Sequence, residues 1–536
     1  MTGSTIETHH NISCLSEYSI HRENDFTIDA LRYYAKSNQF ARMIQTLISY
    51  PFNLQYNACE SILDILEKLD PDNKGQNDPD ILLLKNMFVP LLLMGMGRYE
   101  EATVRSFDTI RKWEHTETPF SSVLLWAAYS NLTFIKQYTC TATHEYDAPV
   151  YLKKSIEYYK KSPIPLDSVK GQFSIADIRP FACPVGIGAD LQEFDLYMEA
   201  ARQTSIYIEE TFYDMYRGYE ELAVCEIAFF KNQLDLAKKA AYDAIIKANE
   251  GKQYSIAMAA EQYLLLIAMH EGDYPSVMEV LRLLRSHLDN KDFRNRQLLY
   301  DLYTGLFYSK IRLFDMVSRW LVIKESEMTS EVRIPISELI VSSSYCLISG
   351  KYGQALTALC ASYPRAPEER FLFGELTLTL LTAAARLNTG DTAGATADFE
   401  KAYRLSFCGV FEMPFILFGK TMHSLANAAL RQGGTGIPNE WLKAVDRKSS
   451  IHGKKIAAVA NAFKQENKAG ESVSLTKREL EVLNDLYHGL SREEIAANQY
   501  LSIGTVNKAL ESIYTKLDAN SIVDAIRIAL ENKLIE

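Results

Sequence analysis

The residues of this chain whose types and spacing could do chemistry lie between positions 474 and 536. Asn507 and Lys508 follow closely on Ser502 and Thr505, which mark the start of a helix. Near a helix start, Asn can bond both edge groups of adenine and Lys can donate to guanine, so these two are the candidates for base contact. The backbone N–H groups of the first turn, at Ser502–Thr505, can also receive a phosphate. Arg492, Thr505 and Lys516 are the candidates for phosphate contact, which fixes register without reading sequence. The acidic Glu511 shares the outer face with Asn507 and Lys508 and completes the candidate set.

Other chemistries find no matching pattern. The eight cysteines form no CxxC pair, and none has a His at zinc-ligand spacing. His9 and His10 sit together at a terminus, and His270 and His423 fall in helical stretches as ordinary packing or surface residues. No Ser/His/Asp or Cys/His arrangement marks a nucleophile. Pro414-Phe415-Ile416-Leu417-Phe418-Gly419-Lys420-Thr421 imitates the end of a phosphate-binding loop. It lacks the first Gly and is apolar where such a loop must be bare backbone. The sequence therefore predicts no enzyme, no cofactor and no metal.

The elements that must position the candidate residues are short and well marked. Thr476-Lys477-Arg478-Glu479 and Ser491-Arg492-Glu493-Glu494 are capping boxes that each open a helix. Leu480, Leu483 and Leu486 give the first helix a buried face, and Gly489 stops it. Ile495 and Ala496 face inward on the second. A third helix starts at Ser502 and carries Val506, Leu510, Ile513 and Leu517 in one apolar stripe. Asn507, Lys508, Glu511, Ser512 and Thr515 lie across from it. A fourth helix runs from about Ser521 to Asn532. A short capped helix, a tight turn and a longer helix with a polar outer face predict a helix-turn-helix.

Most of the chain is a different object. A turn signature recurs in which a small or turn-forming residue is followed five places later by Ala or Val. It is seen at Gly97 to Ala102, Asn232 to Ala237, Gly272 to Val277, Arg312 to Val317, Gly350 to Ala355 and Gly390 to Ala395. The last five starts are 40, 40, 38 and 40 residues apart. One helical hairpin per period cannot bury its own apolar face, so neighbours must stack into a solenoid. The alternative is an antiparallel helical array without superhelical regularity. The proline- and glycine-rich stretch Ser162–Gly188 reads as a long loop. The tyrosines Tyr207, Tyr213, Tyr216 and Tyr219 read as core residues with a polar handle, or as the lining of a ligand groove.

Composition sets the outer limits. Hydrophobic residues are 47% and charged residues 23% of the 536, a globular balance. The net charge of −11 excludes a protein that coats nucleic acid by bulk charge. Residues 443–470 carry a net +5 and residues 471–536 a net −4, leaving the acidity in the repeat region. No signal peptide is read at Met1–Asn11, and the most apolar stretch, Ile81–Met96, is broken by Lys85 and Pro90. Scattered single cysteines suit a reducing, cytoplasmic setting.

The C-terminal motifs resemble a known family. Leu475-Thr476-x-Arg478-Glu479-x-Glu481-Val482-Leu483, Gly489-Leu490-Ser491, Ile495-Ala496, Ser502, Thr505-Val506 and Ile513-Tyr514-x-Lys516-Leu517 are similar to the LuxR-type DNA-binding domain of bacterial regulators. The upstream repeats, with Ile437-Pro438-x-x-Trp441-Leu442, resemble the sensor region of the large maltose-activator (MalT-like) subgroup, here without the N-terminal ATPase domain. The chain departs from the LuxR pattern at Asn507 (usually Lys), Ala509 (often His) and Gln499 (usually Leu).

The resulting expectation is an all-α protein: a tetratricopeptide-like helical-hairpin solenoid followed by a four-helix LuxR-type helix-turn-helix domain. Its divisions are an N-terminal helical segment at 1–75, the repeat region at 76–442, a basic last helix and hinge at 443–473, and the helix-turn-helix at 474–536. The resemblance implies a transcription regulator that binds double-stranded promoter DNA. The solenoid would take a small-molecule effector or a protein partner, and no membrane is involved. RNA polymerase is a further candidate partner, and a homodimer on DNA, through Val523, Ile526 and Leu530, is a candidate assembly. The alternative is an interaction scaffold whose helix-turn-helix no longer binds DNA.

Overall fold

The computed structural model describes residues 26–48, 56–69, 78–116, 118–139, 148–161, 217–291, 293, 296–322, 336–362, 372–467, 475–499, 501–517, 519 and 521–531. The described residues are helical throughout, with no strand among them. The chain divides into two compact units, residues 1–459 and 460–536. The stretch Ser162–Gly188 and the tyrosines Tyr207, Tyr213 and Tyr216 lie outside the described residues, as do His9 and His10. Tyr219 is buried.

The first unit is built from helices that pack chiefly on their sequence neighbours. Tyr99–Trp113, Pro119–Thr139 and Ala148–Lys160 form one run. Tyr219–Phe230, Leu234–Glu250, Tyr254–Glu271, Tyr274–Ser286 and Arg296–Lys310 form a second. Ile336–Ile348, Tyr352–Ser362, Leu372–Asn388 and Thr392–Leu405 form a third. The turn signature has a single physical basis. Gly97, Asn232, Gly272, Arg312, Gly350 and Gly390 all take a left-handed backbone, with φ between 60° and 94°. In each turn the next N–H reaches back five residues, as in Arg98 N to Leu93 O at 2.8 Å and Asp273 N to Ala268 O at 2.9 Å. That bond closes the end of the preceding helix. The small residue five places on is buried every time: Ala102, Ala237, Val277, Val317, Ala355 and Ala395.

Two turns of the same kind were not in the repeat pattern. Asn38 and Lys252 also take positive φ, and Gln39 N and Gln253 N make the same five-residue bond. Lys252 gives no composition signal, because it adopts the left-handed region against its steric preference. The Arg312 turn departs from the expected hairpin in the other direction. It leads into two 3-10 turns, Phe314–Met316 and Arg319–Leu321, rather than a second α-helix. The stretch Ile81–Met96 bends through a π turn at Leu84–Phe88 before Pro90, and no described helix is long and apolar enough to cross a membrane.

Contacts between distant residues add to the neighbour packing. Helix Met413–Ile416 packs on both Tyr219–Phe230 and Leu372–Asn388. Asn232 Nδ2 donates to Glu412 Oε2 at 3.2 Å, and Lys310 Nζ donates to the Leu417 carbonyl at 3.1 Å. The long helix Asn439–Asn467 follows. Its Trp441 packs edge-on against Phe415 and Tyr403, in space left by Gly409, where a Cβ would stand 2.2 Å from the indole Nε1. Further along, His452 stacks on His270 with the two Nδ1 atoms 3.1 Å apart. One Nδ1 must donate and the other accept, so both rings can stay neutral in opposite tautomers.

The basic stretch 443–470 is partly spent inside this unit. Lys448 binds Glu412, Lys443 pairs with Glu440, and Lys455 packs against the Gly272 turn. Fewer of its charges remain for phosphate than the sequence count suggests.

Two outcomes are expected. Gly350→Ala, where a Cβ meets nothing within 4 Å, carries only the left-handed backbone penalty. Its unfolding midpoint in urea should fall by an amount worth about 1 kcal/mol, and an unchanged midpoint would show that the turn relaxes freely. The second concerns His452. Burial, with Lys310, His270 and Lys455 nearby, pushes its imidazole pKa down to about 2. Below the ordinary imidazole pKa of about 6.5, the unfolded chain binds a proton that the folded chain refuses, so stability drops as the pH falls. Going from pH 7.5 to pH 5.5 should cost about 1 kcal/mol through this group. His452→Leu should flatten that dependence in urea titrations, and an identical pH slope in both proteins would count against it.

Candidate nucleic-acid interface

The second unit is organised by its helix starts. Thr476 N donates to Glu479 Oε2 at 2.6 Å while Glu479 N donates to Thr476 Oγ1 at 3.2 Å, closing a reciprocal cap on helix Lys477–Tyr487. Glu479 is buried, and its other oxygen accepts from Ser512 Oγ at 2.6 Å. One carboxylate thus caps the first helix and ties it to the third. Ser491 and Glu494 repeat the cap on helix Arg492–Asn498, at 2.7 and 3.3 Å. The bonds from Ser491 hold the Glu494 carboxyl below its usual pKa range.

The turns between helices follow the same rule as in the first unit. Gly489 takes φ 86°, and Leu490 N reaches Asp485 O at 3.1 Å. Gln499 Nε2 donates to Asp485 Oδ2 at 2.7 Å, tying the end of the second helix back to the first. Leu501 N closes the second turn onto Ala496 O at 2.8 Å. The helices enclose one small core in which Val482, Leu483, Ile495, Ala496, Val506, Leu510, Ile513, Ala525 and Ala529 are all buried. Val506, Leu510 and Ile513 of the predicted stripe therefore fix the third helix, Ile503–Leu517, in place, while the side chain of Leu517 lies outside the described residues.

The candidate residues fall on and around the opposite face. Ser502, Lys508, Glu511 and Arg492 are exposed, and Thr505 and Asn507 are half-buried. Ser502 Oγ accepts from Thr505 N at 3.1 Å and lies 2.8 Å from Thr505 Oγ1. Arg492 Nη1 donates to Asn507 Oδ1 at 3.2 Å, which brings a phosphate candidate and a base candidate together. That bond uses one of the two lone pairs of the Asn507 oxygen and leaves the other, with the amide N–H groups, open to a further partner. Lys516 lies on the third helix, with its side chain outside the described residues. Ala509 packs partly against the core, so the missing family His is not lost from the exposed face.

One exposed residue escaped the sequence reading. Ile503, in the first turn of the third helix, is 46% exposed. An aliphatic side chain there is suited to a thymine methyl group. Periodicity alone places it with the core, because 503, 506, 510 and 513 fall at i, i+3, i+7 and i+10; its exposure comes from its place in the first turn of the helix. In the fourth helix, Ile522–Glu531, Ile526 packs against the unit's own core and Leu530 is exposed, while the Val523 side chain lies outside the described residues.

Residues 473–529 match the GerE family model, described as bacterial regulatory proteins, luxR family. No curated protein matches the chain. The C-terminal unit is thus similar to LuxR-family helix-turn-helix domains, which supports a LuxR-type, DNA-binding transcriptional regulator.

Lys508→Ala should weaken binding to a specific site by about 1–3 kcal/mol and relax its sequence preference. A gel shift showing unchanged affinity and preference would remove Lys508 from the base-contact set.

Proposed function

We propose that the chain controls transcription by binding promoter DNA through helix Ile503–Leu517, and that its hairpin array senses a small molecule or protein partner and governs that binding. The observation that carries the reading is the pairing of buried and exposed faces on one helix. Val506, Leu510 and Ile513 anchor it, while Lys508 and Glu511 stand exposed opposite them. In this reading Asn507, Lys508 and Ile503 contact bases. Arg492, Ser502, Thr505 and Lys516 hold phosphates and set register. The MalT-like kinship, a cytoplasmic location, RNA polymerase as a partner and a homodimer on DNA belong to the same proposal.

Charge gives the competing scaffold reading its only support, since residues 471–536 carry a net −4. An acidic reader that still binds DNA must do so through few phosphate contacts. The logarithm of its affinity should then fall with the logarithm of salt at a slope of only about −2 to −4. Genome-wide capture of bound DNA from cells should give sharp peaks, with a shared sequence beneath them. Flat capture together with no gel shift at low salt would favour the scaffold.

A further inference from the structure

The first unit contains a partly open cavity of about 150 Å³. Phe230, Tyr263, Leu347 and Leu381 are among its apolar walls, and Leu417 and Phe418 close one side. The closing segment is the one that imitates the end of a phosphate loop in the sequence. Pro414, Phe415 and Ile416 are buried, which leaves no bare backbone for a nucleotide.

A cation stands in this apolar wall. Lys310 lines the cavity and is half-buried as a residue. Its ammonium lies deep in the unit, and burial pushes its pKa down to about 8. Among the described residues it pairs with no carboxylate; its hydrogen bond goes to the Leu417 carbonyl. A neutral carbonyl compensates a buried charge poorly, and the deficit is what an anion would supply. The hydroxyl residues Ser344 and Thr421 also line the cavity, and both can donate to a ligand oxygen. An apolar cavity of about 150 Å³ is large enough for a single benzene-sized ring.

We propose that this cavity binds a small apolar monocarboxylate, about one aromatic ring in size, whose carboxylate takes the place of the Leu417 carbonyl on Lys310 Nζ. The inference rests on the sensing role proposed for the array, and it names the class of effector. The geometry also gives the ligand something to move. Leu417 follows directly on helix Met413–Ile416, and the adjoining Glu412 is held by both Asn232 and Lys448. Releasing Leu417 from Lys310 loosens the segment that links these contacts to helix Asn439–Asn467.

Calorimetric titration of the full chain with phenylacetate and with its neutral counterpart 2-phenylethanol, near pH 7, tests the proposal. Phenylacetate should bind at least about tenfold more tightly than the alcohol, because a charge-assisted bond forms only with the acid. Lys310→Met should erase that preference and leave the alcohol's affinity unchanged. Leu347→Trp, which fills the cavity and keeps the lysine, should abolish binding of both. Raising the pH well above 8 should weaken phenylacetate alone. Equal affinity for acid and alcohol, a preference that survives Lys310→Met, or no heat from either compound would overturn the proposal. A gel shift with and without phenylacetate separates the two readings. Binding that leaves DNA retention unchanged would stand for the site and against the sensing role.

Discussion

The array depends on one local constraint: a chain that must reverse between helices has to pass through the left-handed backbone region. Each reversal at Gly97, Gly272, Gly350 and Gly390 uses a residue with no Cβ to obstruct it, and the five-residue back-bond secures the helix end. Asn232, Arg312 and Lys252 make the same turn at a cost of about 1 kcal/mol each. Packing must repay that cost, and the buried Ala237 behind the Asn232 turn shows where the repayment comes from. A small side chain there lets the returning helix lie close to the one it left. Turn and small residue therefore recur together, because neither closes a hairpin alone.

In the C-terminal unit the same economy appears in polar form. Glu479 is almost fully buried, which is affordable only because both of its oxygens are satisfied, one by the Thr476 backbone and one by Ser512. The cap that starts the first helix is thereby also the strut that sets the third. With Val506, Leu510 and Ile513 committed to the core, Lys508 and Glu511 are left exposed on the far side of that helix. Beside them Arg492 Nη1 donates to Asn507 Oδ1, joining the second helix to the third.

Buried ionisable groups mark where the first unit is less settled. Burial lowers the pKa of both Lys310 and His452, leaving the lysine a cation near pH 7 and the histidine neutral, and each touches an element far away in sequence. Such groups are poor sources of stability. They make the packing of helix Asn439–Asn467 sensitive to pH through His452.

The sequence by itself determined the local structure. Capping boxes, the helical apolar stripe and the spaced turn signature act over a few residues, so their outcome is written in residue type and spacing. The six signature turns, both reciprocal caps and the buried stripe of the third helix are all legible in this way. The exposure of Ile503 could not be read from spacing, since its phase is that of the buried stripe, and neither could the Lys252 turn, since its backbone runs against the preference of its residue. Tertiary structure alone decided what depends on contact between distant residues. It turned Pro414–Thr421 from a failed phosphate loop into the wall of a cavity, stacked His452 on His270, and set Lys310 there without a carboxylate partner among the described residues. It also tied up part of the basic stretch through Lys448 and Glu412. Burial and charge pairing belong to the space between elements, and no spacing along the chain encodes them.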